Sequence, residues 1–131
     1  MMPAYCHPGR IIFLCCLLLA GCAKNAGWSA DASRLEKAFG LTFASPPADD
    51  PATYKTAAPA ALAKTLANAL AAGDLDTSAK VLHIFNIRNG GLSFDQYDSV
   101  RRVLADVGRE LSQRAAHGDP HAKDLLKQMG P

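Results

Sequence analysis

From Ala57 onward, apolar residues recur three and four positions apart, in blocks that glycine, aspartate and proline cut to helix length. A 3.6-residue period places such residues on one face, so each block must bury that face against another helix. The clearest block follows Leu92. Ser93 and Gln96 have the spacing of a capping box, and Leu92 with Tyr97 has that of a hydrophobic staple. Tyr97, Val100, Leu104, Val107 and Leu111 then form an inward stripe. Asp98, Arg102, Asp106, Arg109, Glu110 and Arg114 occupy the other face, where Asp98–Arg102 and Glu110–Arg114 are i,i+4 pairs. Gly118 ends this helix. Asp119-Pro120 starts a last one to about Met129, with Leu125, Leu126 and Met129 facing inward.

Earlier blocks follow the same grammar. A helix is predicted over 57–72, with Leu62, Leu66, Ala69 and Leu70 on one face and Gly73 as its stop. Asp74 or Asp76 caps a third helix over 77–88. Its β-branched content and the following Asn89-Gly90 leave a strand at Val81–Ile87 as the alternative. A short helix is predicted near 32–39, with Ser33 and Glu36 as a capping box or Asp31 as cap, and Gly40 as stop. Pro46, Pro47 and Pro51 forbid a helix beyond it, so 44–51 reads as an extended linker lying over the surface. The expected fold is all-α: four to five short helices in a small bundle or stacked αα-hairpins. Alanine abundance favours this, since alanine loses no side-chain entropy in a helix.

The first residues do not belong to that body. Arg10 precedes Ile11–Ala20, an uncharged apolar run of about ten residues. A spanning helix needs about twenty, so the run has signal-peptide length. It ends in Leu19-Ala20-Gly21-Cys22, which resembles the lipobox of bacterial lipoproteins. The resemblance implies cleavage before Cys22, a thioether-linked diacylglycerol on its sulfur and an acylated amino group. Two or three chains anchor firmly where one is marginal. The alternative is an ordinary cleaved signal peptide with a chance cysteine. All four cysteines (Cys6, Cys15, Cys16, Cys22) lie in the signal or at the anchor, so the rest of the chain has no disulfide or thiol chemistry. The expected organisation is a signal peptide over 1–21, a lipidated tether over 22–30, a short helix and Pro-rich linker over 31–53, and a helical domain over 54–131. In Gram-negative lipoproteins an Asp directly after the cysteine favours retention at the inner membrane. Ala23 stands there, which implies the periplasmic face of the outer membrane, or the outer face of the cell membrane in a Gram-positive source.

The helical part repeats itself. Leu66, Ala71-Ala72, Gly73-Asp74, Ala79-Lys80 and Leu82 have counterparts in Leu111, Ala115-Ala116, Gly118-Asp119, Ala122-Lys123 and Leu125, with a two-residue slip after the Gly-Asp. Gly118, Ala122 and Leu126 make the tail similar to tetratricopeptide and Sel-type hairpin repeats, although the signature aromatics of those repeats are missing.

Chemistry is sparse. His117, Asp119 and His121 would offer metal ligands, but Asp119 is better used as a helix cap. Asp74 and Asp76 are close carboxylates at a helix start, where capping explains them. His83 sits on an apolar helix, Ser93 is committed as a cap, and Asn89-Gly90-Gly91 lacks the strand-and-helix context of a phosphate loop. No nucleophile, base and orienter come together in sequence. Charge is close to balanced after the signal, with no basic stripe for nucleic acid. The expectation is a non-enzymatic envelope protein with no cofactor, no metal and no small-molecule substrate. The membrane holds it through Cys22, and a protein partner docks on it, as in assembly accessory lipoproteins. An apolar groove between the second and third helices would suit that role. An immunity or inhibitor lipoprotein that blocks a periplasmic toxin or hydrolase is the alternative.

Overall fold

The computed structural model describes residues 28–88 and 90–130. The signal segment, the lipobox and Cys22 lie outside the described residues. The described part is all-α, as the periodicity requires: α1 over 28–39, α2 over Pro59–Ala72, α3 over Leu75–Ile87, α4 over Phe94–Ala116 and α5 over Pro120–Met129, with a single 3-10 turn at Pro51–Thr53 before α2. Val81–Ile87 is helical, which settles the helix-or-strand alternative. No described helix is long and apolar enough to cross a membrane.

α3 is the central element. It packs against α2, α4 and α5, and Leu75, Ala79, Val81, Leu82, Ile84 and Phe85 are all buried along it. This nearly all-round apolar demand is what gives the α3 sequence its strand-like look. α2 and α4 end alike. Gly73 (φ +71°) and Gly118 (φ +91°) take left-handed conformations that a side chain would strain. The next residues donate back across the turn, Asp74 N–H to Ala69 O at 2.8 Å and Asp119 N–H to Arg114 O at 3.0 Å. Each aspartate then caps the following helix: Asp74 accepts from Thr77 N–H, and Asp119 from His121 and Ala122 N–H. Two αα-hairpins joined through Gly-Asp turns result, α2–α3 and α4–α5. The matched leucines of the sequence repeat are buried in both, Leu66 and Leu82 in one, Leu111 and Leu125 in the other.

The first helix differs from expectation. It already includes Trp28–Ala30, which the sequence reading gave to the tether, so Asp31, Ser33 and Glu36 lie inside the helix instead of capping it. α1 lies antiparallel on α4: Asp31 near its start faces Asp106, while Arg34, Lys37 and Ala38 share a cleft with Asp95, Asp98, Ser99 and Arg102. Leu35 is fully buried, and the Phe39 ring meets that of Phe85 on α3 at 6.0 Å between centroids. With α1 on one side and α3 and α5 on the other, α4 buries Ser99, Val100, Val103, Val107 and Leu111. Val103 therefore joins the core, while Tyr97 and Leu104, expected on the inward stripe, sit at its edge.

The proline-rich segment, expected as an extended linker over the surface, is docked on α2. Ala48 N–H donates to Thr65 Oγ1 at 2.8 Å and lies 3.2 Å from Ala61 O, and the Lys64 ammonium donates to Thr42 O at 3.0 Å. Arg88, at the end of α3, donates to the carbonyls of Tyr54 and Ala57. These contacts bury Lys64 and Thr65 on what would otherwise be an outer face of α2.

Candidate functional site

Two places on the surface gather chemically useful groups. The first is the end of the molecule where the two Gly-Asp turns meet. Gly73, Asp74, Leu75, Asp76, Leu111, Arg114, Asp119, His121, Ala122 and Leu125 line a shallow cleft there of about 140 Å³. His121 Nε2 lies 2.8 Å from Asp76 Oδ1, bridging positions 45 residues apart. The hydrogen bond to the Asp76 carboxylate, and then its charge, raises the His121 pKa above the ordinary imidazole value. Asp74 moves the other way, because the Thr77 hydroxyl and N–H stabilise its charged form as a cap. So Asp74 and Asp76 do not act as a pair: one caps α3 and the other holds a histidine. His117 is the exposed C-cap residue of α4, and Asp119 is used by the backbone of α5. Among the described residues no three His, Cys, Asp or Glu side chains converge on a point where a metal ion could be held. The cleft offers a polar His–Asp dyad with no hydroxyl or thiol among its lining residues.

His83, half-buried on α3, lines a separate open trough with Pro51, Tyr54, Lys80, Ile84 and Gln128. Its Nδ1 is buried without a hydrogen-bond partner among the described residues. Burial, and then the nearby Asp74, Asp49 and Asp50, raises the Tyr54 hydroxyl above its usual pKa, so it stays a neutral wall of this trough. Ser93 does what its sequence position implies. Its hydroxyl accepts from Gln96 N–H at 3.2 Å, and its own N–H donates to the Gln96 side chain at 3.0 Å.

The second place is apolar. Three large apolar side chains stand out at the α3–α4 end: Ile87, Phe94 (82% exposed) and Tyr97. Phe94, Tyr97, Arg101 and Leu104 follow one another at i, i+3, i+7 and i+10, a single stripe along α4. Beside that stripe, Leu82, Phe85 and Asn86 of α3, Leu92 of the turn, and Tyr97, Val100, Arg101 and Leu104 of α4 enclose a depression of about 70 Å³. That is room for about one apolar side chain. The Arg101 guanidinium sits 5.9 Å over the Tyr97 ring. On the α2–α3 side, where an apolar groove would have suited a docking role, α2 buries Leu62, Leu66 and Leu70; the exposed stripe runs along α4 instead. Phe94 carries its own clue in the sequence, an aromatic at the first helical position, one turn before Tyr97.

No protein family, no curated protein and no solved structure matches this chain.

Proposed function

We propose that this chain is a lipid-anchored protein of the bacterial envelope, held at the periplasmic face of the outer membrane through acyl chains on Cys22, and that its helical body is a non-enzymatic docking module. The anchor rests on Leu19-Ala20-Gly21-Cys22 at the end of a ten-residue apolar run too short to span a bilayer. The confinement of every cysteine to that end agrees with export to an oxidising compartment. The docking role rests on the apolar stripe through Phe94 and Tyr97. Phe94, 82% exposed, and Tyr97, one turn further along α4, form a contiguous apolar patch, the kind of surface that meets other molecules.

The test of the anchor is Cys22→Ser. Acyl labelling should vanish and the protein should move from the membrane fraction to the soluble fraction. Retention at the membrane with no acyl label in the native chain would sink this reading. The docking role is tested by photo-crosslinking in intact cells from positions spread over the surface, with recovery of one defined partner expected.

A further inference from the structure

We infer that the face formed by Phe94, Tyr97, Arg101 and Leu104 of α4 with Lys123 and Lys127 of α5 lies on the bilayer that holds the anchor and meets its anionic headgroups. The inference rests on the anchored docking module proposed above and names what this face docks on.

The face is continuous across two helices. On α4, Phe94, Tyr97, Arg101, Leu104, Ala105 and Gly108 fall at i, i+3, i+7, i+10, i+11 and i+14, one strip along the helix. Asp98, Arg102 and Asp106 turn away from it, toward α1. α5 packs on α3 and α4. His121 and Gln128 mark its α3 edge, since His121 meets Asp76 and Gln128 lines the trough with Lys80 and His83. Its inner positions, Ala122, Leu125 and Met129, are buried. The edge toward α4 is therefore that of Lys123, Leu126 and Lys127, and both lysines are exposed. Asp124 lies on the other side, close enough to His121 to favour its charged form. Two aromatics, three cations and no acid make up the face. An interfacial surface has that composition: apolar and aromatic groups enter the headgroup boundary, and the stems of arginine and lysine lie along them with the charges in water, near anionic lipid.

The tether brings the bilayer to this face. Six peptide steps separate Cys22 from Trp28, a reach of at most about 20 Å. α1 is antiparallel to α4 with Asp31 facing Asp106, so Trp28 comes level with Arg109. At 1.5 Å per residue the chain enters about 8 Å along α4 from Leu104 and about 22 Å from Phe94. Packed helices are about 9 Å apart and about 5 Å in radius, so with the face down residue 28 stands within about 15 Å of the headgroups. The tether spans that distance. Anchoring holds the face at high effective concentration beside the lipid, so a weak affinity suffices to seat it.

Protein occupants fit this face less well. Its apolar strip from Phe94 to Leu104 is about 15 Å long and about 10 Å wide. That is about 150 Å², where a standard protein interface buries about 800 Å² on each partner. A second copy docked face to face would also set three cations against three.

The experiment uses the full acylated protein in nanodiscs of phosphatidylcholine alone or mixed with phosphatidylglycerol. Ala105→Cys places a nitrobenzoxadiazole label on the face and leaves its apolar side chains intact; Asn68→Cys places one on α2, which does not pack on α4. In the anionic discs, spin-labelled lipid should quench the label at 105 and leave that at 68 bright. The quenching at 105 should be largely lost in the neutral discs and at high salt. Arg101→Glu, Lys123→Glu and Lys127→Glu together should abolish it while the protein stays in the membrane fraction. All three residues are exposed, so the fold should survive, as circular dichroism checks. A label at 105 left unquenched in anionic discs, equal quenching in the two discs, or a folded triple variant that behaves like the parent each overturns the inference. In cells, benzoylphenylalanine in place of Phe94 should capture lipid. Capture there of one defined protein, or of a second copy, overturns the inference and leaves the docking module standing. A native chain without acyl label at Cys22 removes the anchor and the inference together.

Discussion

The hydroxyl of Thr65 and the backbone of Ala48 pin each other: Thr65 Oγ1 accepts from Ala48 N–H and lies within 2.8 Å of its carbonyl oxygen. One buried side chain of α2 thereby fixes a proline-rich segment seventeen residues earlier in the chain. Thr65→Val keeps the shape and removes the hydroxyl, which leaves Ala48 N–H buried with only the longer contact to Ala61 O. We expect a loss of about 1–3 kcal/mol in denaturant unfolding, with faster protease cleavage within 44–56. Unchanged cleavage there would show that the segment is held by other means.

The two Gly-Asp turns are tied by an exposed pair, His121 and Asp76, whose strength depends on pH. The folded-state pKa of His121 is raised, so its contribution is fully present below the imidazole value of about 6.5 and fades as pH rises through the raised folded value. Histidine resonances followed by NMR should show the His121 midpoint above that reference. In Asp76→Asn it should fall toward the reference, since both the charge and the strongest hydrogen-bond acceptor are gone. A midpoint indifferent to Asp76→Asn would refute the link.

Asp31 is 4% exposed and faces Asp106 across the α1–α4 contact. Burial raises its pKa, Asp106 raises it further, and Arg34 opposes both. For a carboxylate raised on folding, the native state holds its proton at higher pH than the unfolded state. Stability therefore falls as pH rises from the ordinary carboxylate value through the raised one. Asp106→Asn removes the facing charge at the cost of the half-buried partner of the exposed Arg109, a pair of small worth. The variant should unfold at a higher temperature than the parent at neutral pH, and the gap should close on acidification. A lower melting temperature at neutral pH would contradict the repulsion.

Leu111 is 1% exposed on the inner face of α4 and marks the second hairpin as Leu66 marks the first. Leu111→Ala should cost about 2–5 kcal/mol in urea unfolding, as should Leu66→Ala. A loss below about 1 kcal/mol at either would mean that the core closes over the gap.

What the sequence makes legible is what depends on neighbours along the chain. The Ser93–Gln96 capping box, the Asp74 and Asp119 caps, the glycine stops and the Asp98–Arg102 and Glu110–Arg114 pairs are all i to i+4 relations, and each is present. The misses come from contacts between distant segments. Val103 enters the core because α1 covers α4 from a side its periodicity does not announce. Lys64 and Thr65 are buried by a linker that binds them across the fold, and Asp31 by the docking of α1 on α4. Val81–Ile87 reads as helix or strand because a helix packed against three neighbours keeps only a narrow polar face, here Asp76, Lys80 and His83. The Asp76–His121 contact has a trace in the 45-residue period, since equivalent turns come to lie side by side. Phe94 is visible as an aromatic at a helix start, but nothing local says that no described helix covers it.

The antiparallel seating of α1 on α4 also sets how the molecule bears tension. A pull between the incoming chain at residue 28 and a load at the far tip of α4 acts along both helices in opposite senses. The contacts between them, from Asp31 facing Asp106 to Ala38 beside Asp95 and Ser99, then resist sliding together instead of parting one after another. A body tethered in this geometry withstands drag in shear, the direction in which a packed helix seam is hardest to tear.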